Sequence, residues 1–381
     1  MAGQIIKRGD KNWLVRIFMG RDEKGKRRYV NKTIHGTKRE ADKYLSATLT
    51  AITTGTFIEA SPMTLNDYLA KWLQTAARPR VTERTFEGYK FLHTRYVEQT
   101  PLGGMKLSDV RPLNIQRLYA EMQERGLSAR TVRYLHAVLT SALKQAVRWN
   151  MLARNPCEAV ELPRMEQREM QAFSAEEAGR FLAAAAEDAY VTLFTFALAT
   201  GMRPEEYLAL KWSDVDMQKG AATVVRTLIW RKGGGWYFGE PKTARSRRTV
   251  PFPASVLRAL VSHKRRQAEE RMKAGADYQT HDFVFASREG SPLMPRNILR
   301  RHFKPTLKRA KLSESFRLYD LRHSCATLLL AANEHPKVVS ERLGHASIIL
   351  TLDTYSHVLP SMQQAASEKL EGILFKQTGT Q

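Results

Sequence analysis

At 381 residues, with 43% hydrophobic and 26% charged residues, the chain has the composition of a globular protein of two or three domains. Its net charge of +23 calls for a polyanionic partner, and Lys and Arg spread along the whole chain suit nucleic acid better than an anionic lipid surface. Two scattered cysteines, Cys157 and Cys325, exclude a disulfide scaffold and a cysteine metal site.

The longest mostly apolar run, "YVTLFTFALATGM", is too short to span a bilayer, and "MAGQIIKRGDKNW" at the start has no apolar signal core. A cytoplasmic protein with no membrane partner is expected. Residues 1–58 predict a small α+β domain. "NWLVRIFMG" and "RRYVNKTIHG" alternate like strands around the turn "RDEKGKRR". "TKREADKYLSATLTAI" then reads as a helix capped by Thr37, with Glu40 closing a capping box. Basic residues outnumber acidic ones here by more than two to one, as a DNA-binding arm with its sheet in a groove would require.

Residues 63–164 predict an all-α bundle. "TLNDYLAKWLQTA" puts Leu65, Tyr68, Leu69, Trp72 and Leu73 on one face. "TERTFEGYKFLHTRYVEQ" supplies a second helix. A third opens at Pro112 and stops at Gly126, and a fourth opens after Ser128 and ends before "NP". "ELPRMEQREMQAF" is polar and contains Pro163, so it reads as a linker.

Residues 172–381 predict a mainly helical, mixed α+β domain. Ser174 and Glu177 form a capping box. "AATVVRTLIW" and "SRRTVPFP" read as strands, and helices dominate from "ESFRLYDLRHSCATLLLAAN" onward. Near the C-terminus Leu370, Ile373 and Leu374 form a short apolar stripe at helical spacing.

Four stretches of this last domain carry reactive residues in order. "ATGMRPEEYLALKW" places Arg203 after an apolar helix, with Glu206 three residues on. "GEPKTARSRRTVPF" places Lys242 in a turn ahead of a strand. "YDLRHSCATLLL" holds Arg322 and His323, and "LGHASIILTLDTY" holds His345 and Tyr355. In this order and context the stretches resemble the tyrosine recombinases of the phage integrase family. The resemblance covers the whole chain: an N-terminal arm-type domain, a helical core-binding (SAM-like) domain and a catalytic domain.

The resemblance implies a site-specific integrase. Tyr355 is then the nucleophile, forming a 3′-phosphotyrosine and freeing a 5′-hydroxyl. Arg203 and Arg322 match the two arginines that hold the phosphate, a task suited to permanently charged, bidentate guanidinium groups. Lys242 matches the general acid for the leaving oxygen, His345 a phosphate-bonding histidine, and Glu206 an acid that orients the basic residues. A free phenol ionises near pH ~10, so the nucleophile needs a base. The family often has histidine three residues before the second arginine; here Tyr319 stands there, which leaves the base open. His323 could serve, or could brace the helix.

No cofactor and no metal are expected, since the chemistry needs neither and His335, His345 and His357 fit no zinc spacing. The implied partners are double-stranded DNA attachment sites, a homotetramer on DNA with the C-terminal stripe docking on a neighbouring subunit, and a possible excisionase and host DNA-bending protein. The alternatives are a DNA-binding protein with a decayed catalytic domain and a type IB topoisomerase-like activity.

Overall fold

The computed structural model describes residues 3–21, 25–54, 57, 62–165, 170–231, 233–241, 246–355 and 360–375, with side chains for all of these except 353–355 and 360–366. The chain divides into two compact units, Met1–Gln167 and Arg168–Gln381.

The first unit begins with an antiparallel sheet of β1 (Gly3–Gly9), β2 (Asn12–Arg21) and β3 (Arg27–His35), in that order. Strand alternation sends Val15 and Ile17 inward, where they bury against Ala41 of α1 (Lys38–Thr53). Arg16 and Phe18 take the opposite face, and both meet the Tyr29 ring. The Thr37–Glu40 capping box forms as expected. The strand β1 is an addition to the two expected, because "GQIIKRG" buries too little apolar surface to stand out as a pattern.

Helices follow from Thr64. They are α2 (Leu65–Trp72), extended by a π-helical turn over Leu73–Ala77, then α3 (Glu83–Tyr96), α4 (Pro101–Gly104), α5 (Pro112–Glu124) and α6 (Ala129–Arg148). The predicted face of α2 is buried as a whole. Tyr68 donates its hydroxyl to the carbonyl of Ala142 at 2.6 Å, which satisfies its polar end and ties α2 to α6. Ser128 accepts from the Thr131 amide at the start of α6.

The second unit is built around α8 (Val191–Thr200), which is apolar on all sides and therefore central. Phe194, Phe196 and Ala197 are fully buried there. Before it lies α7 (Ala175–Ala185), opened by the Ser174–Glu177 capping box, and after it the single turn α9 (Pro204–Tyr207). Two small sheets come next. One has the order β4 (Val215–Asp216), β5 (Ala221–Val224), β8 (Arg248–Pro251); the other pairs β6 (Thr227–Trp230) with β7 (Trp236–Gly239).

The run "AATVVRTLIW", expected as one strand, is thus two strands in two sheets. The break falls at Val225 and Arg226, where the Arg226 guanidinium turns aside to pair with Asp214. The remaining helices are α10 (Ala254–Ala274), α11 (Pro295–Ile298), α12 (Lys304–Arg309), α13 (Asp320–Ala331), α14 (Pro336–Leu343), α15 (Ile348–Tyr355) and α16 (Pro360–Phe375). No helix among the described residues is long and apolar enough to cross a membrane. On α16, Leu370, Ile373 and Leu374 are exposed.

The linker reading is modified at its ends. Pro163 gives its carbonyl to Arg133 within the first unit, and Phe173 donates its amide to Ser324 within the second. Polar composition alone does not reveal that both flanks are pinned.

Candidate active site

The apolar helix α8 ends at Gly201, whose φ of 65° lies in the left-handed region. A Cβ there would come within 2.7 Å of the Leu343 side chain, so the close approach of α14 also requires glycine. Two residues later Arg203 caps α9, and Pro204 in the first turn holds the chain in helical φ. Glu206 reaches back as the capping acid. Its Oε2 accepts from the Arg203 amide at 2.9 Å and its Oε1 from the Arg203 guanidinium at 2.6 Å.

Glu206 is 3% exposed and carries a second guanidinium. Arg248 of β8 donates from Nη2 to Oε2 at 2.9 Å and from Nη1 to Oε1 at 3.3 Å. Burial works to raise the Glu206 pKa. The bonds and charge of Arg248, with those of Arg203, outweigh it and hold the carboxyl below its ordinary range. Burial likewise opposes ionisation of Arg203, but Glu206 overrides it.

Arg322 lies on the most buried stretch of α13, at 1% exposure. Its Nη1 donates to the Gly201 carbonyl at 2.8 Å, and its buried Nη2 has no hydrogen-bond partner among the described residues. Burial, and then the neighbouring charge of Arg203, push its pKa down to about 10. A fixed guanidinium with a spare donor is chemically suited to hold an anion.

The third element arrives by a second left-handed glycine. Gly344, with φ 67°, ends α14 and delivers His345. The Gly344 carbonyl lies 3.5 Å from Arg203 Nη2. His345 Nδ1 sits 2.8 Å from the buried Thr351 hydroxyl of α15. Burial, then the charges of Arg322 and Arg203, push His345 down to about 3, so its ring is neutral at physiological pH. Tyr355 closes α15 one turn beyond Thr351.

Arg203, Glu206, Arg322 and His345 therefore meet around Gly201 and Gly344. Tyr319 precedes α13 and is half-buried, its ring 5.1 Å from that of His323. Burial, with Arg322 nearby, pushes His323 down to about 4. Lys242 lies outside the described residues, and of Tyr355 only the backbone is described. Arg248 was missed by sequence reasoning. The available signal was its place two residues before Val250, a basic residue on the buried face of a strand.

The chain is similar to known proteins over most of its length. The model of the phage integrase family matches residues 165–362, and that of the phage integrase N-terminal SAM-like domain matches residues 64–123. A XerC-like tyrosine recombinase of Caldanaerobacter subterraneus is 33% identical over 97% of this chain and 98% of its own length. The ICEBs1 integrase of Bacillus subtilis is 31% identical over 66% of this chain and 68% of its own. Among solved structures, the Tn1549 transposon integrase in complex with a circular intermediate DNA superposes with TM-score 0.69 at 23% identity, covering 81% of this chain and 99% of that one. A lambda integrase tetramer bound to a Holliday junction gives TM-score 0.54 at 17% identity, covering 92% and 94%. The chain belongs to the phage integrase family of tyrosine recombinases, enzymes that cleave and rejoin DNA.

Proposed function

We propose that the chain is the integrase of a temperate phage or integrative mobile element, acting at specific DNA sites through a 3′-phosphotyrosine. The Tyr355 oxygen forms a bond to phosphorus, the bond from phosphorus to the 5′-oxygen breaks, and the phenol proton passes to solvent. Lys242 protonates the departing 5′-oxygen. The phosphotyrosine link conserves the bond energy, so rejoining needs no nucleotide cofactor. Arg203 and Arg322 neutralise the charge that gathers on the equatorial oxygens. With Nδ1 accepting from Thr351, a neutral His345 carries its proton on Nε2 and donates it to a phosphate oxygen. Glu206 aims the arginines. Tyr319 offers a hydroxyl to the phosphate, and His323, neutral at physiological pH, braces α13.

The observation that carries this reading is the buried, unpartnered Nη2 of Arg322 beside the Arg203–Glu206 pair. We assign residues 1–58 to an arm-type DNA-binding domain, 63–164 to the core-binding domain and 172–381 to the catalytic domain. Their partners are double-stranded attachment sites, and the working assembly is a tetramer on DNA in which the exposed stripe of α16 docks on a neighbour. An excisionase and a host DNA-bending protein would set direction.

The test is a nicked suicide substrate made from DNA flanking the gene. The native protein should give a covalent adduct on a denaturing gel, and Tyr355→Phe should bind the DNA but give none. No adduct on DNA that the native protein binds would leave a binding-only protein. An adduct without dependence on two matched sites would favour a topoisomerase.

A further inference from the structure

Arg248 differs from Arg322 in one respect that bears on its use. The described nitrogens of the Arg248 guanidinium are all engaged by protein. Besides Glu206, Nε donates to the Arg342 carbonyl at 2.6 Å and Nη1 to the Ser246 carbonyl at 3.1 Å. Its side chain is 7% exposed. Four of its five N–H donors are thus taken by protein atoms, so its main work is done on protein and not on a phosphate.

Two of those partners sit on elements that deliver site residues: Glu206 on α9, which Arg203 caps, and Arg342 on α14, which leads to His345. Arg342 returns the contact, donating from Nη2 to the carbonyls of Ala199 and Pro251, both at 2.8 Å. Thus β8 donates to α14 and α14 donates to β8, while α8 is held by the same arginine. Two residues beyond Ala199 the chain turns at Gly201 toward Arg203. Two residues beyond Arg342 it turns at Gly344 toward His345. Both turns are left-handed glycines, which allow other paths unless their flanks are fixed.

We propose that Arg248 is a positioning residue of the strand-cleavage site, setting Arg203 through Glu206 and His345 through the Arg342 carbonyl. The proposal rests on the function read above. Lysine would keep the charge beside Glu206. It has one nitrogen and cannot fork onto two carboxylate oxygens while also reaching a carbonyl.

The full-length protein with Arg248→Lys should therefore fold and bind site DNA within about twofold of native, yet form the covalent adduct about a hundredfold more slowly, the scale of a small misplacement of reacting groups. Arg248→Met adds a readout that a purely structural role would not move. Glu206 loses the partner that holds its pKa low, so the acid limb of the adduct-formation profile should shift to higher pH. Adduct formation by Arg248→Lys at the native rate, or an unmoved acid limb in Arg248→Met, would overturn the proposal. If the native protein forms no adduct, the functional reading fails by itself. Arg248 is then judged by binding of orthovanadate to the free protein, read from the vanadium NMR line width. Weaker binding in Arg248→Lys than in Tyr355→Phe supports the role, and equal binding overturns it.

Discussion

Replacing Arg322 with methionine should abolish DNA cleavage and leave the DNA-free protein slightly more stable. At neutral pH the side chain is charged in both folded and unfolded states. The drop from its ordinary guanidinium value to about 10 in the fold represents about 3 kcal/mol of native-state cost. The sign follows from a lowered pKa on a base. The cost is full below about pH 10 and is relieved only as pH rises from about 10 toward the unfolded value. Methionine removes that cost and forfeits the charged hydrogen bond to the Gly201 carbonyl, worth roughly 2 kcal/mol. The net is about 1 kcal/mol in favour of the variant, or a rise of about 2–4 °C in the unfolding midpoint of a unit of this size. Adduct formation should fall by at least about a hundredfold, as when a preorganised donor is removed. Thermal unfolding followed by circular dichroism, with and without added phosphate, reads the first effect. Phosphate should raise the midpoint of the native protein and not of the variant. A fall of about 5 °C or more in Arg322→Met would refute the reasoning, because it would mean the guanidinium is compensated within the fold.

Glu206→Gln is expected to act in the opposite sense. The buried guanidinium of Arg248 and the partly buried one of Arg203 lose their counter-charge, and stability should drop by about 3 kcal/mol. The depressed Glu206 pKa contributes stability that is present above about 4.5 and lost as pH falls through the folded value, so acid unfolding of native protein should show a step that the glutamine variant lacks. His345 gives the third case. Its ring should not titrate by NMR between pH 8 and 5 in the free protein, and stability should decline as pH falls from 6.5 toward about 3. A midpoint near 6.5 would mean that the ring is neither buried nor faced by the arginines.

The sequence by itself determined the elements whose signals are local. Thr37 with Glu40 and Ser174 with Glu177 mark helix starts because each side chain bonds an amide within the same turn. The face of α2 from Leu65 to Leu73 is legible because helical spacing repeats within one element. The order of Arg203, Arg322, His345 and Tyr355 was legible as a resemblance, and Glu206 as the acid one turn after the first arginine. Only the tertiary structure decided what depends on distant neighbours. The strand from Ala221 to Trp230 divides because Arg226 finds Asp214 and the two halves find different partner strands. Arg248 is as basic in sequence as the exposed Arg247 beside it. It becomes part of the site because β8 turns it toward a carboxylate 42 residues earlier and a carbonyl 94 residues later. Charge and pattern are properties of a segment, whereas burial, pairing and an idle donor are properties of the packed whole.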